Sequence, residues 1–179
     1  MTTNCITGRL GLAADSAMLA RLMTGGAWMG AAGGGLRIVA AFIPYVPDSA
    51  GLELLYGAID IGLLFGLLAA YLFAAEAVGV VGLAGFVVAL TGLASIVGPD
   101  SHAFGIDFYL LGSAVYLLGL TVLAVQLVRR RALVAAGWLW LVAAAAGVVF
   151  ALAAAAPALV VSGVALGLGY IAAARAIRC

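Results

Sequence analysis

Six apolar stretches, at about 26–46, 51–74, 77–97, 107–128, 132–153 and 156–174, fill most of this 179-residue chain. Each is about 19 to 24 residues long. At about 1.5 Å of rise per helical residue, such a run crosses a hydrocarbon core of roughly 30 Å with some tilt. With 67% hydrophobic residues, 8% charged residues and a mean hydropathy of +1.30, the chain lies outside the soluble globular range. None of the runs alternates apolar and polar residues, which excludes a transmembrane β-barrel. The expected fold is therefore all-α: a polytopic membrane protein with six transmembrane helices over 26–174, arranged as three successive helical hairpins. Residues 1–25 hold Arg9, Asp15 and Arg21 among Leu12, Leu19, Leu22 and Met23. That segment has no run long enough for the core of a signal peptide and is expected to form a short interfacial helix on the membrane surface. Residues 175–179 form a tail.

Orientation follows from the arginines. Arg9 and Arg21 precede the first span, Arg129, Arg130 and Arg131 separate the fourth from the fifth, and Arg175 and Arg178 follow the sixth. The opposite turns, around Pro47, Pro99 and Pro157, contain no Lys or Arg, so the positive-inside rule places both termini in the cytoplasm. Trp28, Tyr71 and Tyr170 then fall near the inner ends of their spans, and Tyr45 and Tyr109 near the outer ends. All eight basic residues are arginine. With 25 glycines and long alanine runs this resembles the output of a GC-rich bacterial genome, and a bacterial cytoplasmic (inner) membrane is the expected location. The lack of lysine also excludes a Schiff-base retinal protein. Cys5 and Cys179 have no neighbours that would make a metal or redox motif, and are read as free thiols.

The first two outer turns both read Pro-Asp-Ser, each followed by a carboxylate (Glu53, Asp107) and a tyrosine (Tyr56, Tyr109); the third, around Pro157, has lost every polar member. Duplication and ordinary turn chemistry both account for this likeness. Gly26, Gly30 and Gly34 recur every four residues in the first span, as do Gly62 and Gly66 in the second and Gly163 and Gly167 in the sixth. Small residues at this spacing let helix backbones approach closely where water cannot drive association.

The stretch Leu36–Leu67 places ionisable groups among these apolar residues. If the first span runs to residue 46, Arg37 lies roughly 15 Å below the outer turn, and Asp60 lies equally deep on the second span. An unpaired mid-membrane Arg costs about 2.5 to 3.5 kcal/mol, whereas each Leu, Ile, Phe or Val returns only about 0.3 to 0.6, so a partner is expected. Asp60 is the carboxylate at matching depth. Glu53, Tyr56, Gly57 and Asp60 share one helical face. Arg37, Glu53, Tyr56 and Asp60 are accordingly the candidate ligand-binding residues, and a structural ion pair between Arg37 and Asp60 is the plainer reading of the same spacing.

The outer loop GPDSHAFGID carries Asp100, His102 and Asp107. A histidine flanked by carboxylates can serve as a general base, which makes these three the weaker, catalytic candidates. One histidine does not make the usual three-ligand zinc site without carboxylates from elsewhere, such as Asp48. With no nucleotide fingerprint, paired-His haem arrangement, serine elbow or CxxC, no cofactor and no metal are expected. The three consecutive arginines mark a membrane side and suit anionic lipid rather than nucleic acid. The partners expected are the lipid bilayer, a small solute or ion, and a homo- or hetero-oligomer through the glycine-rich faces. The leading expectation is an integral membrane protein that binds and translocates a small solute or ion through an outward-opening pocket. The alternatives are an accessory subunit of a larger membrane complex and an outer-face enzyme using His102.

Overall fold

The computed structural model describes the backbone of residues 3–44, 46, 49–97, 102–103 and 106–178, and the side chains of 17–44, 46, 49–97 and 109–178. Among these residues the helices are α1 (Thr3–Ala40), α2 (Ala50–Ile96), α3 (Phe108–Arg129), α4 (Val134–Ala153) and α5 (Ala156–Arg178). Between α2 and α3 a short antiparallel ladder pairs β1 (His102–Ala103) with β2 (Ile106–Asp107). The fold is all-α in its architecture, and α2, α3, α4 and α5 are each long and apolar enough to cross a membrane. Large apolar side chains such as Leu118, Val142, Val149 and Val161 stand exposed around the outside. Water would penalise such a surface and a hydrocarbon solvent would not.

Two helix ends differ from the expected spans, and each has a local cause. α1 stops at Ala40 rather than continuing to 46. Pro44 lacks the N–H that would bond to the Ala40 carbonyl, and its ring would clash there; Ile43, preceding it, is pushed out of helical geometry. Single turns close instead, with Phe42 N–H donating to Val39 O at 3.1 Å and Ile43 N–H to Ala40 O at 3.2 Å. At its other end α1 begins at Thr3 and passes residue 25 without a break, so the separate surface helix expected there is continuous with residues 26–40.

α2 spans 47 residues, which as a straight rod would reach roughly 70 Å, more than twice a hydrocarbon core. It is not straight. Gly79 has φ 61° and ψ −161°, a backbone conformation that only glycine adopts readily. The rings of Tyr71 and Phe86 stack across it with centroids 4.1 Å apart and planes 12° from parallel. Along one helix those residues would be separated by about 22 Å, so α2 folds back at Gly79 into two antiparallel halves, 50–78 and 80–96.

Glycine contacts give the order of packing. A Cβ built on Gly30 would meet Gly66 Cα at 2.6 Å, and one on Gly33 would meet the Gly62 backbone and Ile59 O at 3.0 Å, so α1 runs antiparallel to the first half of α2. A Cβ on Gly34 would lie 2.6 Å from Gly167 O, which sets α1 directly against α5. Gly85 and Gly92 in the second half of α2 lie against Gly119 and Tyr116 of α3 in the same manner. Gly137 of α4 faces Val128 and Ala124 of α3, and Gly169 of α5 accommodates the Trp140 ring of α4. The sealed core within this arrangement contains Leu67, Leu93, Leu120, Leu123, Leu127, Trp140 and Tyr170.

Candidate functional site

The register of α1 on α2 sets the relation between Arg37 and Asp60. Gly30 lies against Gly66 and Gly33 against Gly62, which puts the Arg37 backbone only about 2 to 3 Å nearer the outer helix ends than the Asp60 level. Arg37, in the last turn of α1, and Asp60, in α2, therefore stand at nearly the same level. Their charges interact, but among the described residues no ion pair joins them.

Arg37 projects between helices instead. Its Nε lies beside Gly163, in ordinary contact at 3.7 Å from where a Cβ would stand. The guanidinium comes within side-chain hydrogen-bonding reach of the Tyr109 hydroxyl in the first turn of α3, and Tyr56 and Asp60 lie close enough to act electrostatically on the same hydroxyl. Arg37 and Asp60 likewise act on Tyr116. The Tyr116 and Tyr170 hydroxyls are hydrogen-bonded at 2.8 Å, and the Tyr170 side chain packs on Gly30, Gly34 and Gly66. One polar centre therefore draws Arg37 from α1, Tyr56 and Asp60 from α2, Tyr109 and Tyr116 from α3, and Tyr170 from α5.

Asp60 is only 9% exposed and has no hydrogen-bond partner among the described residues. Its oxygens are nevertheless not sealed. Among the described residues the fully enclosed side-chain polar atom without a partner is Trp140 Nε1, so both Asp60 oxygens retain some accessible surface. A buried carboxylate of this kind is unusual, because burial without hydrogen bonds is costly.

Glu53, expected on the same face as Tyr56 and Asp60, is exposed in the first turn of α2. Its backbone N–H donates to Ser49 O at 3.0 Å, and its charge suits the positive end of the helix dipole. The structure therefore separates Glu53 from the polar centre and keeps Tyr56, half-buried, within it. Asp100 and Asp48 lie outside the described residues; His102 and Asp107 are paired in the β1–β2 register, and their side chains lie outside what is described. No three His, Cys, Asp or Glu side chains gather as metal ligands would among the described residues.

Tyr116 and Tyr170 are the residues that sequence reasoning missed. Tyr170, expected near the inner end of its span, is 1% exposed and packed between helices. The signal available was its place one turn beyond Gly163 and Gly167, on the ridge that admits α1. A groove of about 210 Å³ between α2 and α3 is lined by Ala84, Gly85, Val88, Leu118, Gly119 and Val122; it is wholly apolar and includes no member of the polar centre. Comparison of the chain with family models, with curated proteins and with solved structures finds no match.

Proposed function

We propose that the chain is a six-span integral membrane protein of a bacterial cytoplasmic membrane, with both termini in the cytoplasm. In this reading it binds and translocates a small solute or ion through a polar pocket opening at the outer end of the bundle. Folding back of α2 at Gly79 supports counting it as two spans, which with α1, α3, α4 and α5 gives three hairpins of alternating direction. Arg129, Arg130, Arg131, Arg175 and Arg178 then gather at one end with the Gly79 turn, and the positive-inside rule makes that end cytoplasmic. The first turns of α1, bearing Arg9 and Asp15, are placed at the same surface.

The observation that carries the reading is the Asp60 carboxylate, deep in the bundle, unbonded, with both oxygens still reachable. A purely structural ion pair would be closed between helices with its hydrogen bonds met, because an incompletely satisfied buried charge destabilises the fold. The accessory-subunit reading loses support, since Gly26, Gly30, Gly33, Gly34, Gly62, Gly66, Gly163 and Gly167 are all engaged by neighbours within the chain. A thiol-accessibility experiment tests the proposal. In a variant lacking Cys5 and Cys179, Tyr56→Cys should react with a membrane-impermeant methanethiosulfonate added outside, while Leu120→Cys in the sealed core should not. An inert Tyr56→Cys beside a reactive Glu53→Cys would overturn the pocket. Reaction of Tyr56→Cys only after permeabilisation would overturn its outward opening.

A further inference from the structure

The chemistry of the polar centre narrows what it accepts. Arg37 and Asp60 bring opposite charges into one low-dielectric site, arrive from different helices at nearly the same level, and form no ion pair among the described residues, while the Asp60 oxygens keep accessible surface. Each is therefore free to take a ligand. A simple anion approaching Arg37 would meet the Asp60 charge behind it, and a simple cation approaching Asp60 would meet the guanidinium. A neutral solute would leave both ions incompletely solvated, which is costly away from water. A ligand that carries both charges satisfies the two together.

We infer that the centre binds a small zwitterion of the amino-acid class, its carboxylate taken by Arg37 with Tyr109 and its ammonium by Asp60 with Tyr56. The inference rests on the solute-pocket reading and deepens it. The guanidinium fork suits a carboxylate because two parallel N–H donors match its two oxygens. The Tyr109 hydroxyl, within hydrogen-bonding reach of Arg37, limits the ways that fork can turn. On the other side Asp60 offers unbonded acceptors to the three donors of an ammonium, and the Tyr56 ring face is suited to a nearby cation. Two ions on adjacent, closely packed helices at nearly the same level suit a short ligand, with both charges on or next to one carbon.

Three probes of nearly equal size separate the possibilities: L-alanine, propionate, which lacks the amine, and ethylamine, which lacks the carboxylate. Binding is read by thermal shift and by intrinsic tyrosine and tryptophan fluorescence on the purified full chain in detergent. Alanine is expected to bind at least tenfold tighter than either fragment. Asp60→Asn should erase that preference by making propionate bind as well as alanine, and Arg37→Gln should abolish alanine binding, with circular dichroism confirming that each variant remains folded. If Asp60→Asn fails to fold, Asp60→Glu replaces it, and the preference for alanine over propionate should survive the change. Propionate binding as tightly as alanine to the unaltered protein would overturn the zwitterion and leave a pocket for anions. Absence of binding by all three probes would overturn both the zwitterion and the solute pocket.

Discussion

The Tyr116 hydroxyl of α3 and the Tyr170 hydroxyl of α5 meet at 2.8 Å in the middle of the bundle, both within residues less than 5% exposed. One of the two donates and the other accepts, and neither has water to fall back on. Removing either hydroxyl strands its partner, a cost of about 1 to 3 kcal/mol for a buried polar group, whereas removing both can be nearly neutral. Tyr116→Phe and Tyr170→Phe should each destabilise the protein by an amount in that range. The double variant should be markedly less affected than the sum, as residues in contact do not add. Denaturation in mixed detergent, followed by circular dichroism, measures all three; additive losses would mean that the two hydroxyls act independently.

Glycine positions separate sharply by what surrounds them. A Cβ at Gly34 would lie 2.6 Å from the backbone oxygen of Gly167, and one at Gly30 would lie 2.6 Å from Gly66 Cα, whereas Gly25 and Gly35 face open space. Backbone cannot turn aside as a side chain can, so Gly34→Ala and Gly30→Ala must push α1 away from α5 or α2, at about 1 to 3 kcal/mol of overpacking each. Gly25→Ala and Gly35→Ala should instead be neutral or stabilising by up to about 1 kcal/mol, because alanine is the better helix former. Thermal stability in detergent gives the comparison, and equal effects at all four sites would contradict the packing of α1 described above.

At Gly79 the constraint is backbone conformation and not space. Nothing lies within 4 Å of a Cβ built there, yet φ is +61° with ψ −161°. Gly79→Ala should therefore destabilise by about 1 to 3 kcal/mol despite the empty surroundings. Gly57→Ala, also in open space but without the unusual φ, serves as the control. A Gly79→Ala protein as stable as the control would mean that the turn tolerates another backbone geometry.

Much of this could be read along the chain, because hydropathy and glycine spacing depend on one helix at a time. The apolar runs of α2 through α5, the glycine ridges and the burial of Asp60 all follow from such local patterns. The end of α1 at Ala40 was also present in the sequence, in Pro44, but run length alone outweighed it. What local pattern does not reveal is which helix a given face meets. Tyr116 and Tyr170 look like any aromatic residues in an apolar run until α3 and α5 are placed together, and Tyr109 gains its relation to Arg37 only when the start of α3 is set beside the end of α1.

The lack of an ion pair between Arg37 and Asp60 among the described residues sets how strongly the two should depend on each other. A buried pair in direct contact loses about 3 to 5 kcal/mol when one partner is removed. Charges that interact across a gap of, for illustration, about 8 Å at an effective dielectric of about 20 are worth roughly 2 kcal/mol. Arg37→Gln and Asp60→Asn keep nearly the same shapes while deleting the charges, so a double-mutant cycle on these two variants reads the electrostatic coupling with little change in packing. The expected coupling is about 1 to 2 kcal/mol, with the double variant more stable than the sum of the singles implies. Bulk salt should change it little, because both groups lie between helices where screening is weak. A coupling near zero would mean that each charge is solvated independently and would remove the shared polar centre. A coupling of 3 kcal/mol or more would mean that the ions close on each other in the ligand-free protein, which would turn the site into the structural pair that its spacing in the sequence also allowed.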